Sequence, residues 1–155
     1  MKNNHKLIIT CLAIPLAAGG VSAFITRNSM SVFRQLKKPP FSPPGWVFPV
    51  VWTILFVLMG AASYLVKTAG YTRQRTKALT AYAVQLTVNF FWPIFFFKCK
   101  WYLFAFIWLA ALWCLVAATI KYSYAVSKKA AYLLIPYILW ITYAGYLNLF
   151  IFLLN

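Results

Sequence analysis

Val47-Phe48-Pro49-Val50-Val51-Trp52-Thr53-Ile54-Leu55-Phe56-Val57-Leu58-Met59-Gly60-Ala61-Ala62-Ser63-Tyr64-Leu65-Val66 is an uncharged run long enough to cross a bilayer. A helix rises about 1.5 Å per residue, so about 20 apolar residues cross a hydrocarbon core about 30 Å thick. Four further runs of the same character occupy residues 7–24, 78–97, 101–120 and 130–154. A helix satisfies all its backbone polar groups within one segment, which lipid demands of a spanning element. The expected fold is therefore all-α: an integral membrane bundle of five transmembrane helices, forming one domain over residues 1–155. Lys2, His5 and Lys6 ahead of the first run would also suit a secretory signal. That run is long enough to span, however, and Pro15 with Gly19-Gly20 suits a packed helix, so it is read as the first transmembrane segment.

Composition supports the membrane class. Hydrophobic residues make up 64% of the chain and the mean hydropathy is +0.77, whereas a soluble domain is roughly half apolar. Charge is one-sided, with 15 Lys and Arg and no Asp or Glu. The cations stand in the gaps between apolar runs, where they set topology and meet anionic headgroups. They form no patch for nucleic acid, and none is expected as a partner. Without a carboxylate side chain, acid-coupled transport, carboxylate metal sites and carboxylate general bases are excluded. Cys11, Cys99 and Cys114 form no CxxC pair and are read as small apolar residues, with no metal site expected.

The gaps also predict topology. Residues 98–100 and 121–129 are short connections, so the last three helices should be antiparallel neighbours. Residues 25–46 form the long first loop, containing Lys37-Lys38-Pro39-Pro40-Phe41-Ser42-Pro43-Pro44, and its length suggests a lid or a binding element. The N-terminal side collects nine basic residues, Lys2, Lys6, Lys67, Arg73, Arg75, Lys77, Lys121, Lys128 and Lys129. The other side collects six, Arg27, Arg34, Lys37, Lys38, Lys98 and Lys100, which leans towards a cytoplasmic N-terminus.

Three helices offer aromatic or amide stripes at helical spacing. In the third, Gln85, Asn89 and Trp92 share a face. Amides in hydrocarbon need partners, so they either glue helices together or hold a ligand's polar group. In the fifth, Tyr137, Trp140, Ala144 and Asn148 repeat the pattern, and in the second Trp52, Phe56 and Met59 form a similar row. Convergence of these rows points to a flat, apolar ligand. Pro15, Pro49, Pro93 and Pro136 are expected to interrupt four helices and open space between them. Ala17-Ala18-Gly19-Gly20 suits close helix contact, within the bundle or in a dimer. The one histidine, His5, is near the N-terminus, so no imidazole is available at membrane depth for haem or metal.

Taken in order, these segments resemble the translocator protein family, also called tryptophan-rich sensory proteins (TspO/MBR). The residues carrying the resemblance are Leu36 and Lys38-Pro39, Pro43-Pro44-Gly45-Trp46-Val47-Phe48, Val51-Trp52-Thr53, Met59-Gly60, Gln85-Leu86, Asn89, Trp92, Phe95-Phe96, Pro136-Tyr137, Trp140, Ala144 and Leu147-Asn148. The resemblance implies five helices, frequent homodimers, and a pocket under the first loop that takes porphyrins, sterols and synthetic ligands. It implies ligand contact for Trp46, Trp52, Phe56, Gln85, Asn89, Trp92, Tyr137, Trp140, Ala144 and Asn148. It also makes Trp52 and Trp140 the candidates for light-driven porphyrin breakdown. Arg34, Lys37 and Lys38 would meet porphyrin propionates or lipid headgroups. No obligatory cofactor is implied; a porphyrin or haem-like tetrapyrrole enters as ligand or substrate, and the bacterial cell membrane is the expected location. Two departures stand out: the acids that relatives keep in the first loop and helix 4 are gone, and Val32-Phe33 and Phe41 stand where bulkier aromatics are usual. The functions implied are a tetrapyrrole-binding sensor, a light-dependent porphyrin-degrading enzyme, or a transporter of porphyrin or sterol.

Overall fold

Five long apolar helices cross the molecule, and their ends follow from local chemistry. The structure, a computed structural model, describes residues 2–155, with the side chain of Lys2, one of the nine cations counted above, outside the described part. Helix α1 (Lys2–Thr26) runs through Pro15 into a 3₁₀ turn (Arg27–Ser29) and the short α2 (Met30–Gln35). The expected long loop is thus half helical, and only residues 36–46 are irregular. The reason is local: the segment from Arg27 to Lys38 holds no proline or glycine, and the helix ends as Leu36 turns extended at ψ 144. The second span, α3 (Val47–Thr68), ends where Ala69 becomes extended ahead of Gly70. Helix α4 (Arg73–Pro93) is N-capped by Thr72, whose Oγ1 accepts from the Arg75 N–H at 3.1 Å.

Prolines shape the helices differently from expectation. Pro49 and Pro136 lie in the first turns of their helices, where no intrahelical N–H bond is lost. Pro136 instead separates two pieces of the last span, α6 (Lys128–Leu133) and α7 (Ile135–Leu154). Pro93 does act from inside. Beyond it the ladder shifts: the Ile94 N–H bonds the Phe91 carbonyl, and residues Ile94–Lys98 form a π turn. The Phe90 carbonyl, freed by that shift, accepts from the Ser22 hydroxyl at 2.9 Å, which ties α4 to α1. Helix α5 (Tyr102–Val126) follows a left-handed Lys100 with φ 58.

α4 packs along α5 and α5 along α7, as the short connections predict, while α3 packs on α1 and α6. Glycine makes the α1–α3 contact close. A Cβ on Gly60 would stand 2.8 Å from the Cys11 carbonyl oxygen, and one on Gly19 would enter the Phe56 ring. Gly20, from the same small-residue patch, faces open space. Large apolar side chains such as Ile9, Phe24, Ile54, Ile107, Leu139 and Leu153 point outward, as lipid contact requires. Cys11 is buried, whereas Cys114 belongs to this outer surface, and all three thiols are free. With five such helices this is a multi-pass membrane protein.

Candidate functional site

α1 and α3 approach closely at Gly60, and towards the loop end they both line a cavity of about 520 Å³. Its walls come from α1 (Gly19, Ser22, Ala23, Thr26), from Arg27, Met30 and Arg34, from the loop and α3 (Gly45, Trp46, Phe48, Pro49, Trp52, Phe56), and from α4 (Asn89, Trp92, Pro93) with Phe97. Trp52 is stacked on Phe56 at 5.6 Å between ring centroids and lies 6.4 Å from Trp92. Trp92 in turn stacks on Phe96 at 5.3 Å. An aromatic-walled, largely apolar slot results, of a size typical for ligand sites, which run to about 300–1,000 Å³.

The polar atoms behind the slot are nearly all committed. The Asn89 amide donates to the Tyr137 hydroxyl at 2.6 Å, that hydroxyl donates to Gln85 Oε1 at 2.7 Å, and the Gln85 amide reaches Met59 Sδ at 3.7 Å. A second chain runs from Trp92 Nε1 to Asn148 Oδ1 at 3.2 Å and from Asn148 Nδ2 to the Tyr102 carbonyl at 2.7 Å. Gln85, Tyr137 and Asn148 are each at most 1% exposed. They join helices, which is how buried amides are usually satisfied in lipid. Asn89 is the exception: it lines the cavity, and the network uses its nitrogen, leaving its carbonyl oxygen available to an occupant.

Of the residues expected at the site, Trp46, Trp52, Phe56, Asn89, Trp92 and Arg34 line the cavity. Gln85 and Tyr137 lie behind it in the hydrogen-bonded network. Ala144 and Asn148 border a separate, nearly filled void of about 10 Å³ that shares Phe48, Trp92 and Phe97 with the cavity. Trp140 stands behind Phe48, edge to face at 5.9 Å, and its buried indole N–H has no acceptor among the described residues. Lys37 and Lys38 do not line the cavity: the Lys38 ammonium bonds the Arg34 carbonyl at 3.2 Å and lies over the Phe33 ring. Sequence reasoning missed the whole α1 wall. Gly19, Ser22, Ala23 and Thr26 follow helical spacing, a row of small and polar residues that marks one face.

Residues 36–46 form a roof segment that meets the cavity wall only at Gly45 and Trp46. Phe41 is left-handed at φ 66 and reverses the chain between its two proline pairs. The Tyr143 hydroxyl donates to the Phe41 carbonyl, and Tyr146 donates to the Pro40 carbonyl at 3.1 Å, so α7 holds the roof from one side.

Comparison with known proteins agrees with this architecture. The TspO/MBR family profile matches residues 11–154. The "Tryptophan-rich protein TspO" of Archaeoglobus fulgidus is 39% identical, with 99% of each chain covered. The protein of the same name from Chlorobaculum tepidum is 35% identical over 97% of this chain and 99% of its own. The human "Translocator protein" is 36% identical over 82% of this chain and 76% of its own. Fold, motif order and sequence similarity converge: the chain belongs to the TspO/MBR family.

Proposed function

We propose that this protein is a membrane sensor that binds porphyrin-type tetrapyrroles in the cavity under the loop. The observation that carries the reading is the slot walled by Trp46, Trp52, Phe56, Trp92 and Phe97. A planar macrocycle stacks favourably on such rings, at about 0.5–1.5 kcal/mol per aromatic pair beyond simple burial. The Asn89 carbonyl oxygen, unused by the buried network, would accept from an N–H or O–H at the ligand's periphery. Names printed for relatives, "sensory protein" and "translocator protein", support a role in signalling or passage of a lipophilic ligand. The N-terminus is cytoplasmic in this reading, on the nine-to-six lean of basic residues.

The test is a titration of detergent-purified protein with protoporphyrin IX, following tryptophan fluorescence in the dark. Saturable quenching is expected in the wild type, weakened about tenfold by Trp52→Ala, which removes a stacking wall. Absence of saturable quenching in the wild type would sink the reading.

A second reading has a specific observation behind it: Trp52 and Trp92 both stand in the wall, where an excited porphyrin could take an electron from an indole. Bleaching of bound porphyrin under illumination, slowed in Trp52→Phe, would make the protein an enzyme. Bleaching at the rate of free porphyrin leaves it a sensor.

A further inference from the structure

The cavity rim carries two guanidiniums in a chain without a side-chain carboxylate. Arg27, from the 3₁₀ turn, and Arg34, from α2, both line the cavity and both are exposed. Arg27 rests its guanidinium on the Phe24 ring, 4.2 Å from the centroid. That contact uses none of its five N–H donors. The hydroxyls beside them are spent: Ser22 donates to the Phe90 carbonyl and Thr26 to the Ser22 carbonyl. Lys38, the nearest alternative cation on the roof, is engaged with Arg34 and Phe33 and is absent from the wall. Counter-charge for the pair therefore comes from no Asp or Glu of the chain.

We propose that Arg27 and Arg34 are the specificity-determining pair of this cavity, binding two acid groups on one edge of an amphipathic ligand whose flat apolar body fills the slot. The inference rests on the reading that the cavity is a ligand site. Each guanidinium presents a planar fork that matches a carboxylate or phosphate bidentately. The two residues are seven apart, or about 11 Å along a helical axis, which suits two separated acid groups better than one shared anion. The slot beneath is apolar, so it accepts a neutral ligand of the same shape equally well; the rim alone discriminates.

Protoporphyrin IX and its dimethyl ester share one ring and differ in charge at one edge, which makes them the probes. Full-length protein in neutral detergent is titrated with each, as wild type, Arg27→Gln, Arg34→Gln and the double variant. The diacid should bind wild type about tenfold more tightly than the diester, equivalent to about 1.4 kcal/mol. Each single variant should lose part of that advantage and the double variant all of it. Diester affinity should fall far less than diacid affinity, and melting temperatures in detergent near that of wild type show that the variants are folded. Equal binding of diacid and diester by wild type overturns the proposal and leaves the ligand-site reading standing. Saturable binding of neither probe overturns both. Nanodiscs separate a ligand's acid groups from a lipid phosphate. An advantage that persists in both phosphatidylcholine and phosphatidylglycerol assigns the pair to the ligand. An advantage abolished by phosphatidylglycerol shows the pair occupied by headgroups, and the proposal falls.

Discussion

The side-chain amide of Asn155 closes a two-bond clamp on the backbone of Lys37: its oxygen accepts from the Lys37 N–H at 3.0 Å and its nitrogen donates to the Lys37 carbonyl at 2.9 Å. The roof of the cavity is thereby fastened at its beginning as well as at Pro40 and Phe41. Asn155→Ala removes both bonds while leaving the cavity wall intact. The expected result is porphyrin dissociation several-fold faster by stopped-flow tryptophan fluorescence, the two exposed bonds being worth about 0.5–1.5 kcal/mol each. An unchanged dissociation rate would show that the roof does not gate the site.

Gly60 tests the joint below the cavity. With a Cβ only 2.8 Å from backbone atoms of Cys11 and Leu12, Gly60→Ala must push α1 away from α3. Overpacking of this kind costs about 1–3 kcal/mol. A lower melting temperature in detergent is expected, whereas Gly20→Ala, which meets open space, should be silent.

Tyr137 and Trp140 should respond unequally to the same kind of change. Tyr137→Phe deletes a hydroxyl that serves Asn89 and Gln85 together, leaving both amides short of a partner at a cost of about 1–3 kcal/mol. Trp140→Phe deletes an indole N–H that already lacks an acceptor among the described residues, so no hydrogen bond is lost. Thermal unfolding of the two variants in parallel decides it, with the larger loss expected for Tyr137→Phe.

Ligand binding should separate the two tryptophans marked out from sequence. Trp52 lines the cavity and Trp140 stands behind Phe48. Trp52→Phe should weaken porphyrin binding and slow any bleaching, while Trp140→Phe should leave both near wild type. Equal effects would mean that Phe48 yields and that the cavity extends to α7 when filled.

The five spans were legible because length and charge gaps are strong signals in a chain this apolar. The first loop was misjudged because polarity was taken for irregularity: residues from Arg27 to Gln35 are polar enough to lie outside the apolar core, yet nothing in them breaks a helix. That error hid Thr26, Arg27 and Met30, which only a continuing helix carries to the cavity rim. The stripe on α7 lies outside the cavity wall for another reason. Large residues at helical spacing mark an inward face, but packing and cavity lining both produce one. Tyr137 and Asn148 are core residues joined to α4, and spacing alone could not tell their bonds from a ligand's. Asn89 differs from them in that it bonds Tyr137 while also lining the cavity.

The cavity wall ends at Phe97, so the first three spans supply every residue that shapes it. The hydroxyl that satisfies its buried amides arrives only with Tyr137, in the last span. During synthesis the slot can therefore take form before it is sealed: the Asn89 amide nitrogen and the Gln85 amide oxygen lack their Tyr137 partner until α7 is inserted. A stalled or truncated chain would carry those two hydrogen-bonding amides as an exposed mark of incompleteness, readable by quality-control proteases, and arrival of the last helix would erase it.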